Sequence, residues 1–230
     1  MVRARPIAGA PLRGEPVQFR SGAVAAPIAF DYATRADAAS LGAAMPSGQL
    51  YTTNAGATSF GITANKMQLK AALGAYGNNF ALGGAAAHRR LHAKMSNISG
   101  GLLHDILILS PAYIDDNNAV QVIWGYDNYA FTVGFAAQIR YVIGGVYSVL
   151  VTDFNPANAP ANNDELEISY NPTTGNIIVL TGGNNYYGTL NIPVGDRAAF
   201  AAVTDMNFAA YNDARDLGGS RFDDVEVFNV

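Results

Sequence analysis

Three groups of side chains in this sequence have types and spacings that could do chemistry. The first is the acidic run Asp164-Glu165-Leu166-Glu167-Ile168-Ser169. On an extended strand Glu165 and Glu167 share one face about 7 Å apart, and carboxylate pairs carry glycoside hydrolysis, one as acid and the other as base or nucleophile. The next position on that face is Ser169, so a third acid is missing, and the solvated outer face of a strand accounts for the run without catalysis. The second group is His88, His92 and His104. On a strand His88 and His92 stand about 13 Å apart, too far to share an ion; on a helix they could share one, with a third ligand still missing. Arg89, Arg90 and Lys94 around them oppose a cation, so no metal is expected, and the cluster reads as basic partners for an acidic neighbour. A phosphate contact is the lesser alternative. The third group is the oxygen-rich runs Asp115-Asp116-Asn117-Asn118 and Asn162-Asn163-Asp164. Calcium needs six to eight converging oxygens, whereas turn formation alone explains such runs.

A sugar is held by exposed aromatic faces beside amide groups. Tyr126, Asn128, Tyr129, Asn184, Asn185, Tyr186 and Tyr187 have that composition. Tyr is equally an ordinary half-buried strand residue. The sequence lacks a Gly-x-Ser-x-Gly elbow, a P-loop and a dinucleotide fingerprint. No enzyme activity and no cofactor are expected.

The elements that must position these groups are strands. Half of the 230 residues are apolar and 14% are charged, enough for a sizeable core. The 24 glycines imply frequent turns. Leu166, Ile168 and Tyr170 alternate with Glu165, Glu167 and Ser169, and Val120, Val122 and Trp124 alternate likewise. Ile143-Gly144-Gly145-Val146 and Thr173-Thr174-Gly175-Asn176 read as hairpin turns. Strands are expected at 28–33, 49–53, 59–72, 79–83, 88–98, 105–110, 119–124, 129–136, 138–143, 146–153, 165–170, 176–181, 186–192, 198–210 and 221–229. Short helices at 36–44 and within 196–210 are weaker alternatives, and loops are expected at 154–164 and 211–219. Antiparallel pairing of so many short strands gives an all-β, two-sheet sandwich.

Residues 1–26 differ. Arg3, Arg5, Arg13 and Arg20 face one acid, Glu15, and Pro6, Pro11 and Pro16 exclude a helix or central strand. The segment reads as an extended assembly arm on a partner, with Phe19 among its docking residues, or else as a disordered tail. The sandwich domain then covers 27–230. There is no cysteine, so no disulfide or thiolate metal site. A net charge of −4 gives no support to nucleic-acid binding. No apolar run is long enough for a membrane span, and the N-terminus lacks the apolar core of a signal peptide.

Several segments resemble a family. The run Phe30-Asp31-x-x-Thr34-Arg35-Ala36-Asp37-x-x-Ser40-Leu41-Gly42 resembles the opening of a domain common in bacteriophage virion proteins, a concanavalin A-like jelly roll. Gly48-Gln49-Leu50-Tyr51 stands where such domains carry Gly-Gln-x-Trp, with the aromatic changed. Phe60-Gly61-Ile62-x-x-Asn65-Lys66-x-x-Leu69 matches the segment that follows. Arg221-Phe222-Asp223-Asp224-Val225-Glu226-Val227-Phe228 is similar to the last strand. The resemblance implies a non-enzymatic structural protein of a tailed phage, tail-associated or capsid-decorating, resident in the virion and assembled in the host cytoplasm. Its partners would be other virion proteins and copies of itself. The alternative is a host-adhesion module binding surface glycans. A glucanase-like glycosidase is the third reading, against which Ser169 stands. In such sandwiches the first and last strands are neighbours, so 28–32 and 221–229 are expected to pair antiparallel with Phe30 and Val227 both inward.

Overall fold

Strands form where apolar and polar residues alternate, and they stop where Gly, Asn and Asp break the alternation. The computed structural model describes residues 26–42, 44–53, 60–69, 74–82, 86–96, 104–127, 135–155, 163–212 and 221–230. The arm residues Arg3, Arg5, Arg13, Phe19 and Arg20 lie outside them, as do Asn128, Tyr129 and Asn162. In chain order the strands are β1 Ala29–Asp31, β2 Tyr51–Thr53, β3 Phe60–Thr63, β4 Lys66–Leu69, β5 Gly74–Ala81, β6 Arg89–Ser96, β7 His104–Asp115 and β8 Asn118–Asp127. They continue as β9 Phe135–Ile143, β10 Val146–Asp153, β11 Glu165–Tyr170, β12 Asn176–Thr181, β13 Thr189–Asn191, β14 Asp205–Asn212 and β15 Arg221–Asn229.

These strands make two antiparallel sheets. The first runs β13-β12-β11-β6-β15-β4-β3, with β1 also on β15; the second runs β10-β9-β8-β7-β14-β5-β2. The inward faces meet in one core. Phe60 and Phe222 of the first sheet contact Phe208 of the second, with ring centroids 5.3 and 5.6 Å apart. Tyr141 and Tyr170 stand edge-on to Phe200, each at 6.4 Å. The expected all-β sandwich is the observed fold.

Several segments differ from expectation in detail. Within the expected strand 59–72 the described residues form the β3–β4 hairpin, and residues 135–143 run as one strand, β9, across the expected break at 137, while 129–134 lie outside the described residues. The segment 198–210 splits into a short 3-10 helix, Arg197–Phe200, and β14. No helix forms over the described part of 36–44. Its backbone is spent elsewhere: Ala38 and Ile62 exchange hydrogen bonds of 3.1 and 2.8 Å, and Ala44 bridges Leu50.

β1 and β15 pair antiparallel as expected, with Ala29 opposite Val227 and Phe30 opposite Glu226. The facing is not as expected for Phe30. Val227 is inward, but on β1 Ala29 and Asp31 are the buried residues, and Phe30 points outward to stack on Tyr32 at 4.8 Å. The cause is Asp31. Arg35 donates to its two oxygens at 2.5 and 2.7 Å, the Tyr51 hydroxyl donates at 2.7 Å, and the Ala33 N–H donates at 2.8 Å. A fully paired carboxylate is tolerated inside where an unpaired one is not. Once Asp31 faces in, the period of two turns Phe30 out.

The two ends of the sandwich are unlike. At one end the strands are joined by tight turns: Asp116-Asn117 between β7 and β8, Gly144-Gly145 between β9 and β10, and 171–175 between β11 and β12. Gly144 and Gly145 have φ of +58° and +80°, the geometry of a two-residue hairpin turn that side chains disfavour. The start of β1 and the end of β15 lie at this same end. There the Ile28 N–H donates to Val227 O at 2.7 Å and the Val230 N–H donates to His88 O at 3.1 Å. At the opposite end lie the strand ends joined by 97–103, 128–134, 154–164, 182–188 and 213–220, as the registers Lys94–Glu165, Leu166–Thr181, His104–Asp127, Ala137–Asp153 and Arg221–Ser96 require.

Candidate functional site

The segment 182–188 leaves β12 at the loop end and carries Asn184, Asn185, Tyr186 and Tyr187. Gly182 and Gly183 open it with positive φ, and an Asn184–Thr181 backbone pair at 2.9 and 3.0 Å closes a tight turn. The Asn185 side chain accepts the Tyr187 N–H at 3.3 Å. Tyr187 is half-buried against the core, and its hydroxyl donates to Asp153 at 3.0 Å. Burial first, then the Asp153 carboxylate, pushes the Tyr187 phenol far above its usual range, so it stays a proton donor. The other Asp153 oxygen accepts the Asn155 N–H at 2.8 Å. Asp153 thus ties the end of β10 to the β12–β13 connection, across the two sheets.

This anchoring leaves Tyr186 and Phe154 at the surface, 43% and 54% exposed. Asn184 and Asn185, which precede Tyr186 in the chain, are exposed as well. Trp124, Ala137 and Asp153 form one lateral row of β8, β9 and β10, with Trp124 buried. Tyr126 follows two residues on, opposite Phe135 and at the same end. The backbone at Tyr126 and the residues Asn184, Asn185, Tyr186 and Tyr187 therefore lie at the same end of the molecule. Asp153 and Phe154 were missed, because the sequence signal there is only the point where an alternating strand stops.

The carboxylates of β11 sit elsewhere, on the outer face of the first sheet. That face is a charge lattice. Basic β6 lies between acidic β11 and β15, with Glu165 and Asp224 opposite Lys94, and Glu167 and Glu226 opposite His92. The expected pairing of the basic cluster with acidic neighbours is what the register provides. Arg90 pairs with Glu167 at 3.1 Å and covers the Phe228 ring at 4.6 Å. Glu165 is exposed, but Glu167 keeps only 15% of its side chain in water. The expectation that both face water is corrected for Glu167, because Arg90 and its neighbours roof it.

The Asp115–Asn118 run is consumed in turns. Asp115 accepts the Asn117 N–H and the Asn118 amide at 2.8 and 3.0 Å, and Asp116 accepts the Tyr113 hydroxyl at 2.7 Å. Asn118 accepts the Gly144 N–H at 2.9 Å, which locks two neighbouring hairpins together.

No family model matches the chain. No curated protein matches it either. Solved structures do match. The carbohydrate recognition domain of Emp47p is 9% identical at a TM-score of 0.58, over 91% of this chain and 99% of that one. The CBM2 module of the evolved Dit of Lactobacillus casei BL23 phage J-1 is 12% identical at 0.58, over 89% and 96%. The GH43 protein BlXynB from Bacillus licheniformis is 13% identical at 0.53, over 87% of this chain and 39% of that one. At such identities the likeness is one of fold: a concanavalin A-like lectin sandwich.

Proposed function

We propose that the chain is a non-catalytic carbohydrate-binding module that takes its glycan at the loop end, against Tyr186 and Phe154. The observation that carries this is two exposed aromatic residues, Tyr186 and Phe154, each next in the chain to one partner of the Tyr187–Asp153 hydrogen bond. Aromatic faces cover the apolar side of a sugar ring, and the amides of Asn184 and Asn185 supply both donors and acceptors for its hydroxyls. Two solved structures of the same fold, the carbohydrate recognition domain of Emp47p and the CBM2 module of the phage J-1 Dit, support the reading. The test is a screen on a glycan array and on isolated cell-surface polysaccharides, followed by calorimetry on the best ligand. Tyr186→Ala and Phe154→Ala should each weaken binding about tenfold, the loss of roughly 1–2 kcal/mol expected for one aromatic contact. An empty screen, or unchanged affinity in both variants, overturns the reading.

A second reading places this module on a phage particle as a tail or decoration protein, with host glycans as its target and residues 1–26 as the arm that seats it. The phage J-1 Dit module supports it, together with the resemblance of residues 30–42 to virion domains. Removal of residues 1–26 should leave melting unchanged and abolish incorporation into particles. Incorporation of the truncated chain at the full level would sink the arm.

A further inference from the structure

We propose that His92, Glu165 and Glu167 form a binding site for a divalent transition-metal ion of the Zn²⁺ type, on the outer face of the first sheet. Their candidate ligand atoms all lie within 4.8 Å of one another. Along β6 alone His92 has no second ligand beside it; β11 supplies two from the side. The Nε2 atom of His92 faces Glu165 at 3.7 Å. Atoms bonded to one tetrahedral ion at about 2.0–2.2 Å sit roughly 3.4 Å apart. Glu165, with 59% of its side chain in water, is free to close that gap by a change of torsion.

Two further observations point to a ligand. His92 is nine-tenths buried, and its Nδ1 sits 3.1 Å from Glu226 Oε2 without forming a hydrogen bond. Glu167 Oε2 is also shut off from water, and the Arg90 guanidinium faces it at 3.1 Å. Native interiors leave few such atoms unsatisfied. An ion on Nε2 takes the ring's lone pair and fixes the proton on Nδ1, where Glu226 becomes the orienting carboxylate seen behind many metal-bound imidazoles. Glu226 is itself held by the Tyr32 hydroxyl at 2.8 Å. The charges agree: Glu165 and Asp224 lie opposite Lys94, Glu167 and Glu226 lie opposite His92, and Arg90 pairs with Glu167, which leaves the charge of one divalent ion to be balanced when His92 is neutral. One nitrogen and two oxygens suit a borderline ion and fall short of the oxygen cage that Ca²⁺ requires. Such an ion would staple β6 to β11.

The test uses the full chain without a histidine tag, near neutral pH. Titration with ZnCl₂ should show one saturable site and a rise in melting temperature, while CaCl₂ and MgCl₂ leave melting unchanged. Co²⁺ should give visible d–d bands. His92→Ala should abolish those bands and weaken Zn²⁺ binding by about tenfold or more. Glu165→Gln, exposed and safe to fold, should weaken binding too and decides the matter if His92→Ala is unstable. Absence of saturable binding at millimolar Zn²⁺, or equal binding by wild type and Glu165→Gln, overturns the site.

Discussion

Asp31 is a charged residue with no solvent exposure, held by the donors of Arg35, Tyr51 and Ala33. Asp31 is buried while Arg35 keeps 30% of its side chain in water, so removing the carboxylate leaves the Tyr51 hydroxyl and the Ala33 N–H without their acceptor as well as the guanidinium without its charge partner. Asp31→Ala should cost about 3–5 kcal/mol in urea unfolding. Tyr51→Phe, which removes one donor of several, should cost only about 1–2 kcal/mol. Equal losses would show that the network is not the source. The sequence marked this stretch through its family resemblance, yet alternation alone assigned the carboxylate to the wrong face. Its partners stand at Arg35 and Tyr51, in a turn and on another strand, beyond the reach of a period-two reading. Two other tyrosines tie stability to pH. Burial and Glu226 raise the Tyr32 phenol to about 12, and burial raises Tyr170 to about 12. The unfolded chain releases these protons near pH 10, so the folded state holds more protons between about 10 and 12. Stability is full below about pH 10 and is lost as pH rises through that window. Melting temperature should fall there, and Tyr32→Phe should flatten the slope; an unchanged slope would remove Tyr32 from the account.

At the scale of elements, β15 is the strand with most to lose. It lies between β6 and β4 and also carries β1. It buries Phe222, Val225 and Val227 completely and Phe228 nearly so. At roughly 1.5–3 kcal/mol for each buried side chain, its removal matches the whole stability of an ordinary domain. A chain ending at residue 220 should aggregate, because β6 would present an open edge; a soluble fragment that melts cooperatively would show otherwise. Strand positions were legible because hairpins announce themselves locally, as Gly144-Gly145 does. The His92, Glu165 and Glu167 cluster was not legible. Each strand displayed its half, and lateral register, which depends on the whole sheet, brought the halves together. Asp153 and Phe154 escaped for a related reason: their meaning depends on Tyr187, which arrives from the other sheet.

On the scale of the molecule, the two unlike ends give the domain a direction. Whatever joins it at residue 26 or at Val230 joins it at the tight-turn end, and the Tyr186 surface then points away from the tether. Copies planted side by side on a support would all present that surface outward, so weak individual contacts would add as avidity on a repetitive glycan coat. The absence of cysteine makes this measurable, since one introduced thiol is the only coupling point. Chains coupled through Ala26→Cys should keep their full capacity for a polymeric glycan, and chains coupled through Asn184→Cys should lose it. Equal capacity in the two orientations would mean that the polymer is gripped along the flanks of the sandwich rather than at its tip.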